Sequence, residues 1–427
     1  MWENLITKSG ISVSREGFRR YFSNTGWMMG GQIFSLLVSF LIGAWVARSL
    51  GPQEYGLFSY SLSFAGVFSL LAGLGVDGII SRDLVRTPER SRELLGSGLA
   101  IKIVGGLTAW IIASGVAWLY VPSSLSRLII SLIAFSYVIG AFSIIDVFFR
   151  SKVQAKYSVR AQLTALVFSA VLKIFFILSG ANLIWLAVIY VLESLVLAIA
   201  LLKSYRQPSF DVGRWSISWP VAKELLTKSW PLMLSGLSAF MLLKIDQVML
   251  GSYLNEISVG LYAAAVKLSE AWYFIPGIIC ASLFPAIINA RSTDIKLYRR
   301  RIKHLYGLLL LLAIAIALPL AYWSDFIVNL LFGPAFLEAA PVAAIYVWST
   351  ISWFLAAAFW YKLMAEDRLI LLFWSNFIPL IINILLNYIL IPRAGIIGAA
   401  WATVISYAVL IIFIIYSLLN EDSASYN

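Results

Sequence analysis

The chain is poor in the residue types from which most catalytic and metal sites are built. Its 427 residues include one cysteine and one histidine, and only 12% of them are charged. A lone cysteine, Cys280, excludes an internal disulfide framework and a thiolate metal site. The lone His304 follows a run of arginines and lysines, so neither a Ser-His-Asp triad nor a histidine metal site is expected. We therefore expect no catalytic residue, no metal and no cofactor.

A nucleotide-binding loop and a soluble domain are missing too. The sequence holds no Gly-x-x-x-x-Gly-Lys-Ser/Thr pattern, which argues against ATP hydrolysis by a P-loop. The polar stretches between the apolar runs are too short to build a domain of their own. An enzyme is therefore disfavoured, although a membrane glycosyltransferase or polymerase stays as an alternative.

Apolar residues dominate what remains. Hydrophobic residues make up 61% of the chain, and charged residues fall well below the roughly 25% of soluble proteins. A membrane helix needs about 20 apolar residues, which predicts an all-α polytopic membrane protein with about twelve spans. The predicted spans are 26–48, 57–80, 99–121, 128–149, 161–179, 183–202, 230–250, 261–288, 304–323, 341–361, 369–391 and 396–419.

The lysines and arginines alternate between the two sides of this arrangement. Of the 32 cationic residues, four lie inside spans, and Arg48, Arg127 and Arg393 lie in loops on one side. All the others lie at the amino terminus or in the loops on the other side. Because cytoplasmic loops collect Lys and Arg, we expect both termini in the cytoplasm and the chain in the cell inner (cytoplasmic) membrane. The net charge of +11 then reflects topology and does not indicate nucleic acid.

Two six-helix halves are predicted, because similar segments open the first and seventh spans and the second and eighth spans. Such parallel repeats occur in secondary transporters. The expected parts are an N-terminal segment (1–25), a first six-helix bundle (26–202), a linker (203–229), a second bundle (230–419) and a tail (420–427). The first and last parts and the linker are expected in the cytoplasm.

Charged side chains inside the spans are the candidate functional residues. Charges at that depth are costly and normally face a protein interior or a wet cavity. The candidates for binding an anionic substrate are Lys173, Lys244 and Lys267, and those for coupling to an ion are Glu193, Asp246 and Glu270. Lys173 with Glu193, and Lys267 with Glu270 at i, i+3, are alternatively ion pairs with a structural role only. Lys244 and Asp246, two residues apart, are expected to point to different sides.

Several segments resemble a known family. Residues 47–56 (ARSLGPQEYG), 73–77 (GLGVD) and 81–83 (SRD) resemble the O-antigen (Wzx-type) and polysaccharide flippases of the multidrug/oligosaccharidyl-lipid/polysaccharide exporter superfamily. Residues 244–251 (KIDQVMLG) and 395–403 (GIIGAAWAT) look like later segments of that family. The resemblance covers nearly the whole chain.

The resemblance implies two six-helix bundles in a V around a central cavity, as in the multidrug exporters. It also implies transport of an undecaprenyl-diphosphate-linked oligosaccharide to the outer leaflet by alternating access, for surface polysaccharide biosynthesis. Arg48 lies in the matched motif and is expected to meet the headgroup. The expected partners are this lipid-linked glycan, membrane lipids, H+ or Na+, and a polysaccharide polymerase or chain-length regulator. The alternative of the same fold is a multidrug or cation antiporter, which would want an acidic cavity.

Overall fold

The computed structural model describes residues 15–206, 215–366 and 368–423, and every regular element in these ranges is helical. Most of the expected N-terminal segment, part of the linker and the end of the tail lie outside the described residues. Sixteen α-helices follow one another within these ranges. They are α1 (Arg15–Val67), α2 (Ser69–Gly73), α3 (Val76–Arg86), α4 (Ser91–Tyr120), α5 (Ser124–Ile139), α6 (Ile144–Ser151), α7 (Ala155–Ser179), α8 (Ile184–Tyr205), α9 (Trp219–Tyr253), α10 (Glu256–Glu270), α11 (Phe274–Thr293), α12 (Ile295–Tyr322), α13 (Ser324–Phe332), α14 (Ala340–Tyr346), α15 (Ser349–Ala365) and α16 (Leu369–Ser423).

Nine helices of the described chain are long and apolar enough to cross a membrane, and a tenth crossing is the bent pair Pro334–Tyr346 and Ser349–Leu363. Two of the nine, Ser23–Val67 and Ile370–Tyr416, have 45 and 47 residues. Since about 20 residues cross a bilayer, each of these two provides two crossings. The second crossing is completed by α2 and α3. The prediction of an all-α membrane protein with about twelve spans is confirmed.

Glycines with positive φ make the sharp reversals between spans. Gly51 (φ 71°, ψ 173°) divides α1, and Gly395 (φ 56°, ψ −136°) divides α16. L-residues rarely adopt this region, whereas glycine enters it without a steric penalty. Pro52 directly after Gly51 then starts the next helix with its φ already fixed. These two residues belong to the loop motif that carries the family resemblance.

We call the end of the bundle where α1 begins the basic end and the opposite end the far end. At the far end, one buried core joins the two halves of the chain. Ala44, Ala47 and Tyr55 of α1 pack there with α10 and with the segment around Phe332 and Phe336. The halves are therefore held together at the far end by a shared apolar core.

Glycines bring α1 and α10 into backbone contact within this far-end core. A Cβ at Gly56 would lie 1.7 Å from the Glu256 carbonyl oxygen, and one at Gly260 would lie 1.9 Å from the Pro52 carbonyl oxygen. Small residues permit such close packing of membrane helices. These two positions lie in the two segments whose similarity suggests the internal repeat.

Helix α9 begins inside the expected linker and belongs to both halves. Its residues Val221, Ala222 and Leu225 are buried in the core of the first half, together with Ile80 and Leu94. Further on, the same helix packs along α16 of the second half. Residues 219–229 are thus helical and continuous with the seventh span.

A break in the second span marks the place where α9 leaves the first half. Leu74 (φ 46°) and Gly75 (φ 69°) are both left-handed. A Cβ at Gly75 would lie 2.9 Å from the Met233 backbone nitrogen and 3.0 Å from the Ser229 carbonyl oxygen. The break therefore lets the backbone of the second span touch the backbone of α9.

Polar contacts fix the start of α9 to the first half. The backbone nitrogen of Ser218 donates to Ser97 Oγ at 3.0 Å. Glu224 accepts from Lys228 Nζ (2.6 Å) and from Arg90 Nη2 (3.2 Å). These two hydrogen bonds lower the pKa of Glu224 below its ordinary value. The ion pair is exposed, so it positions the helix more than it stabilises the fold.

Candidate functional site

A cavity of about 560 Å³ lies between the two halves below the far-end core. Helix α1 contributes both of its spans to the lining, and α9 and α10 contribute from the second half. The polar and charged residues that line it are Ser39, Tyr55, Ser59, Ser63, Ser69, Tyr137, Tyr190, Lys244, Gln247, Lys267 and Glu270. Charged and hydroxyl groups thus share one hollow at mid-depth, as the sequence interpretation required.

Lys267 is the free cation of this cavity. Among the described residues, no hydrogen-bond acceptor or carboxylate partner contacts its ammonium group. Its Nζ lies against Gly43, where a Cβ would be only 1.7 Å away. Like-charge repulsion from Lys173 and Lys244 also acts on it. The absence of a side chain at Gly43 of α1 therefore makes room for the end of the Lys267 side chain in the wall of the cavity.

Lys244 pairs with Glu270, the residue that the sequence analysis gave as an alternative partner of Lys267. Lys244 Nζ lies 3.0 Å from Glu270 Oε2, and both side chains are partly exposed to the cavity. The alternative i, i+3 pair of Lys267 and Glu270 is not present, because Glu270 pairs with Lys244. Glu270 is the last residue of α10, and its carboxylate bonds to the ammonium from the neighbouring helix α9.

Lys173 and Glu193 form a second ion pair, between α7 and α8 of the first half. Lys173 Nζ lies 3.4 Å from Glu193 Oε2, and Ser169 Oγ donates to the same oxygen. About a quarter of the Lys173 side chain and a third of that of Glu193 are exposed. The pair does not line the cavity itself, although Tyr190, three residues before Glu193, does.

Asp246 points away from the cavity and is buried in the second half, with 1% of its surface exposed. Tyr262 Oη and Asn387 Nδ2 each donate to it at 2.6 Å, and Thr403 Oγ1 donates as well. These donors come from α10 and from both spans of α16. Neutral donors replace a cation here, because no Lys or Arg pairs with Asp246 within the described ranges.

Two buried amides beside Asp246 keep spare hydrogen-bonding capacity. Asn387 Nδ2 also donates to Asn383 Oδ1 at 2.9 Å. Asn387 Oδ1 and Asn383 Nδ2 are buried without a partner in the described part of the chain. Buried polar groups are usually satisfied, so this cluster has an acceptor to offer to a further group.

Two tyrosines connect Asp246 to the cavity. The ring of Tyr262, which bonds to Asp246, packs edge-on against the ring of Tyr346 at 6.0 Å between centroids. Tyr346 Oη donates to Glu270 Oε1 at 3.2 Å. Glu270 in turn holds Lys244. The buried carboxylate and the cavity cation are therefore joined through a short chain of contacts.

Arg48 lies outside the cavity. It is an exposed residue at the far end, and its Nη1 donates to the Leu330 carbonyl oxygen at 3.3 Å. The side chain also lies against Gly333. Its position fits a contact between the halves.

Sequence reasoning missed the neutral members of the site. Asn383 and Asn387 have i, i+4 spacing within an apolar run, which places two amides on one helix face. That pattern was a usable signal. Tyr262, Tyr346 and Thr403 gave no such signal, because tyrosine and threonine are common in membrane helices and their importance here comes from packing.

Comparison with known proteins identifies relatives of the chain. Residues 22–290 match a family profile described as polysaccharide biosynthesis protein. The probable low-salt glycan biosynthesis flippase Agl15 of Haloferax volcanii is 23% identical over 423 residues, which cover 93% of this chain and 82% of that protein. The probable flippase AglR of the same organism is 29% identical over 168 residues, 38% of this chain and 35% of AglR.

Solved transporter structures share the fold. An inward-facing multidrug resistance MATE family transporter of the MOP superfamily superimposes with a TM-score of 0.73 at 16% identity, covering 92% of this chain and 96% of the other. The inward closed structure of the lipid II flippase MurJ gives 0.74 at 15% identity, covering 91% and 86%. The fold expected from the resemblance is confirmed.

Proposed function

Since the chain belongs to the family of polysaccharide biosynthesis proteins, we propose that it is a flippase for lipid-linked glycans. Its substrate class is an undecaprenyl-diphosphate-linked oligosaccharide, carried across the cytoplasmic membrane toward surface polysaccharide assembly. The protein transports this lipid and performs no covalent chemistry on it. Both termini and the basic end face the cytoplasm, in keeping with the distribution of Lys and Arg.

The free ammonium of Lys267 in the cavity carries this proposal. A point ammonium suits a phosphate group, and a cleft with cationic walls in a low-dielectric surrounding concentrates anions. Hydroxyl groups such as those of Ser39, Ser59 and Tyr55 line the same hollow and suit a sugar. In our proposal the diphosphate enters beside Lys267 and Lys244 while the hydrocarbon tail stays in the bilayer.

Alternating access fits the unequal packing of the two ends. The far end is closed by the shared core around Tyr55 and Phe336. At the basic end the contact between the halves is that of the start of α9 with Ile80 and Leu94. We propose that this arrangement receives substrate from the cytoplasmic side and that separation of the far-end core releases it.

Asp246 is the strongest of the three candidates for ion coupling. Glu193 and Glu270 are each already paired with a lysine, whereas Asp246 is bonded only to neutral donors. The spare acceptor on Asn387 lies in the same cluster. A proton or cation bound there would act through Tyr262 and Tyr346 on Glu270, and so on the hold of Glu270 on Lys244.

Flipping in proteoliposomes tests the function directly. The substrate is an undecaprenyl-diphosphate oligosaccharide, and the readout is its accessibility to a membrane-impermeant glycosidase. Lys173→Ala, Lys244→Ala and Lys267→Ala should each slow flipping, with Lys267→Ala slowing it by about tenfold, the effect of losing one charge-assisted hydrogen bond. Lys203→Ala, an exposed cation at the end of α8, is the matched control.

Other activities predict different results in the same preparation. An antiporter would move an organic cation, and a polymerase would lengthen the glycan on its lipid. Either result without flipping would replace our proposal. Unchanged flipping in all three lysine variants would leave these lysines only a structural role.

A further inference from the structure

A groove between α1 and α7 at the basic end is distinct from the central cavity. Two adjoining hollows of about 400 Å³ and 360 Å³ share Ser23 and Trp27 in their walls. The first is polar and also contains Asn24, Val153, Gln154, Lys156 and Tyr157. The second is apolar and also contains Gly26, Gly30, Gly31, Val159 and Leu163. The groove therefore runs from a polar mouth into an apolar channel.

The glycines of α1 keep the apolar part of the groove open. A Cβ at Gly31 would lie 2.4 Å from Val159, so this glycine serves helix packing. At Gly26 and Gly30 no atom lies within 4 Å of the added Cβ. The Gly26-x-x-x-Gly30 pattern usually brings membrane helices into contact, but here it faces open space. Its lack of side chains leaves room for a hydrocarbon chain.

The mouth of the groove is electropositive. The side chains of Lys156 and Arg160 are exposed. Lys156 Nζ lies 4.8 Å from the ring centroid of Tyr157, and the Arg160 guanidinium lies 5.2 Å from that of Trp27. Aspartate and glutamate are absent from the residues lining both hollows. The two cations are therefore available to an anion.

An unused acceptor lies in the same mouth. Gln154 Oε1 is buried and has no hydrogen-bond partner among the described residues. The neighbouring Asn24 is occupied, because its Oδ1 accepts from the Ala155 backbone nitrogen at 2.7 Å. A ligand with phosphate oxygens would pair with Lys156 and Arg160, and rotation of the Gln154 side chain, which lines the hollow, would bring its free oxygen to a ligand hydroxyl.

We infer that this groove is a loading site for the polyprenyl-diphosphate glycan in the cytoplasmic leaflet. The diphosphate binds Lys156 and Arg160, the first sugar meets Gln154, and the isoprenoid chain lies over Gly26 and Gly30. The identity of the lipid rests on the proposed function. Trp27, in the wall of both hollows, precedes Leu36, a cavity-lining residue, by about 13.5 Å of helix rise. A headgroup held at the mouth must therefore move about two and a half helical turns to reach the cavity.

Photocrosslinking tests the site. The probe is a benzophenone-labelled undecaprenyl-diphosphate disaccharide, added to the full-length protein in phosphatidylcholine nanodiscs. Crosslinked peptides should come from α1 and α7. Gly30→Leu fills the channel, and the double variant Lys156→Ala/Arg160→Ala removes the cations. Each should reduce crosslinking by about tenfold.

Matched variants control for folding and for general effects. Gly115→Leu places the same side chain at another membrane glycine whose Cβ meets no atom within 4 Å. Lys203→Ala removes an exposed cation elsewhere at the basic end. Both should crosslink like the unmodified protein. The two groove variants alter different chemistry, so misfolding of one still leaves the other as a test.

Three results would overturn the inference. They are equal crosslinking in all variants, crosslinks confined to the central cavity, and displacement of the probe by an equal amount of phosphatidylglycerol, which would indicate a general anionic-lipid site. Crosslinking does not require transport. If the unmodified protein crosslinks the probe but does not flip the lipid, the proposed flippase function is rejected and the site is kept. If the unmodified protein flips the lipid but both groove variants crosslink normally, only the site is rejected.

Discussion

At the scale of single residues, the charge distribution in the cavity depends on which lysine pairs with the Glu270 carboxylate. Glu270 has i, i+3 spacing from Lys267 on its own helix, but it pairs with Lys244 of α9 at 3.0 Å. Removing one partner of a buried ion pair is costly because it leaves the other charge uncompensated. Lys267 is left without a carboxylate among the described residues, and it lies in the wall of the cavity.

A methyl group at Gly43 should disturb Lys267 without removing its charge. The Cβ of Gly43→Ala would meet only the far end of a flexible side chain, so the fold should persist while the ammonium is displaced. We expect slower flipping, by several-fold to about tenfold for a weakened charged hydrogen bond. Adding Gly43→Ala to Lys267→Ala should cause no loss beyond that of Lys267→Ala alone in the same glycosidase assay. Additive losses would mean that Gly43 acts elsewhere.

Neutralising Asp246 should uncouple transport from an ion gradient. Asp246→Asn keeps the shape of the side chain and removes its charge, while Tyr262, Asn387 and Thr403 remain as neighbours. Stimulation of flipping by an imposed H+ or Na+ gradient should disappear, and flipping without a gradient should continue. Glu224→Gln, an exposed carboxylate outside the spans, serves as the control and should keep the stimulation. A gradient response that survives in Asp246→Asn would assign coupling to another group.

At the scale of helices, α1 and α10 meet backbone to backbone at the far end. The atoms that a side chain at Gly56 or Gly260 would meet belong to the backbone, which cannot rotate away. Overpacking such a contact typically costs about 1–3 kcal/mol. The two glycines therefore determine how stable the closed far end is relative to an open one.

Gly56→Ala should shift the protein toward arrangements that are open at the far end. Spin labels on the exposed residues Glu54 and Ile257 report the distance across this contact, and their distance distribution should broaden to longer values. Gly115→Ala has open space around its new methyl group and should leave the distribution unchanged. An unchanged distribution in Gly56→Ala as well would mean that the helices separate and re-form without regard to this contact.

The sequence was enough to predict the membrane-spanning helices, but not which side chains of different helices contact each other. Apolar runs and the alternation of Lys and Arg were enough for the twelve crossings. The pairing of Glu270 with Lys244 depends on how α9 and α10 face each other across a turn, which no spacing along one helix encodes. Asp246 was recognisable as a buried charge, but two of its three donors, Asn387 and Thr403, lie more than a hundred residues away in sequence. Likewise, the sequence does not distinguish Gly31, which packs against Val159, from Gly30, which faces open space.

At the scale of the whole molecule, the single cysteine offers a clean test of orientation. Cys280 is buried, so Cys280→Ala should provide a background without reactive thiols. In intact cells, a membrane-impermeant maleimide should label Glu54→Cys at the far end at once. It should label Lys203→Cys at the basic end only after permeabilisation. The reverse pattern would invert the proposed topology and, with it, the direction of transport.

The seventh crossing also limits how the protein can be taken apart and how it can move. The first turns of this helix, α9, pack against Ile80 and Leu94 of the first half, and the rest of α9 packs against α16 of the second half. The two halves are thus joined by a packed helix and not only by a flexible linker. Any widening at the basic end must move α9 against the backbone of the second span at Gly75. A version of the protein expressed as two polypeptides should therefore be divided before residue 215. A division at residue 230 would separate Val221, Ala222 and Leu225, which pack in the first half, from the rest of α9.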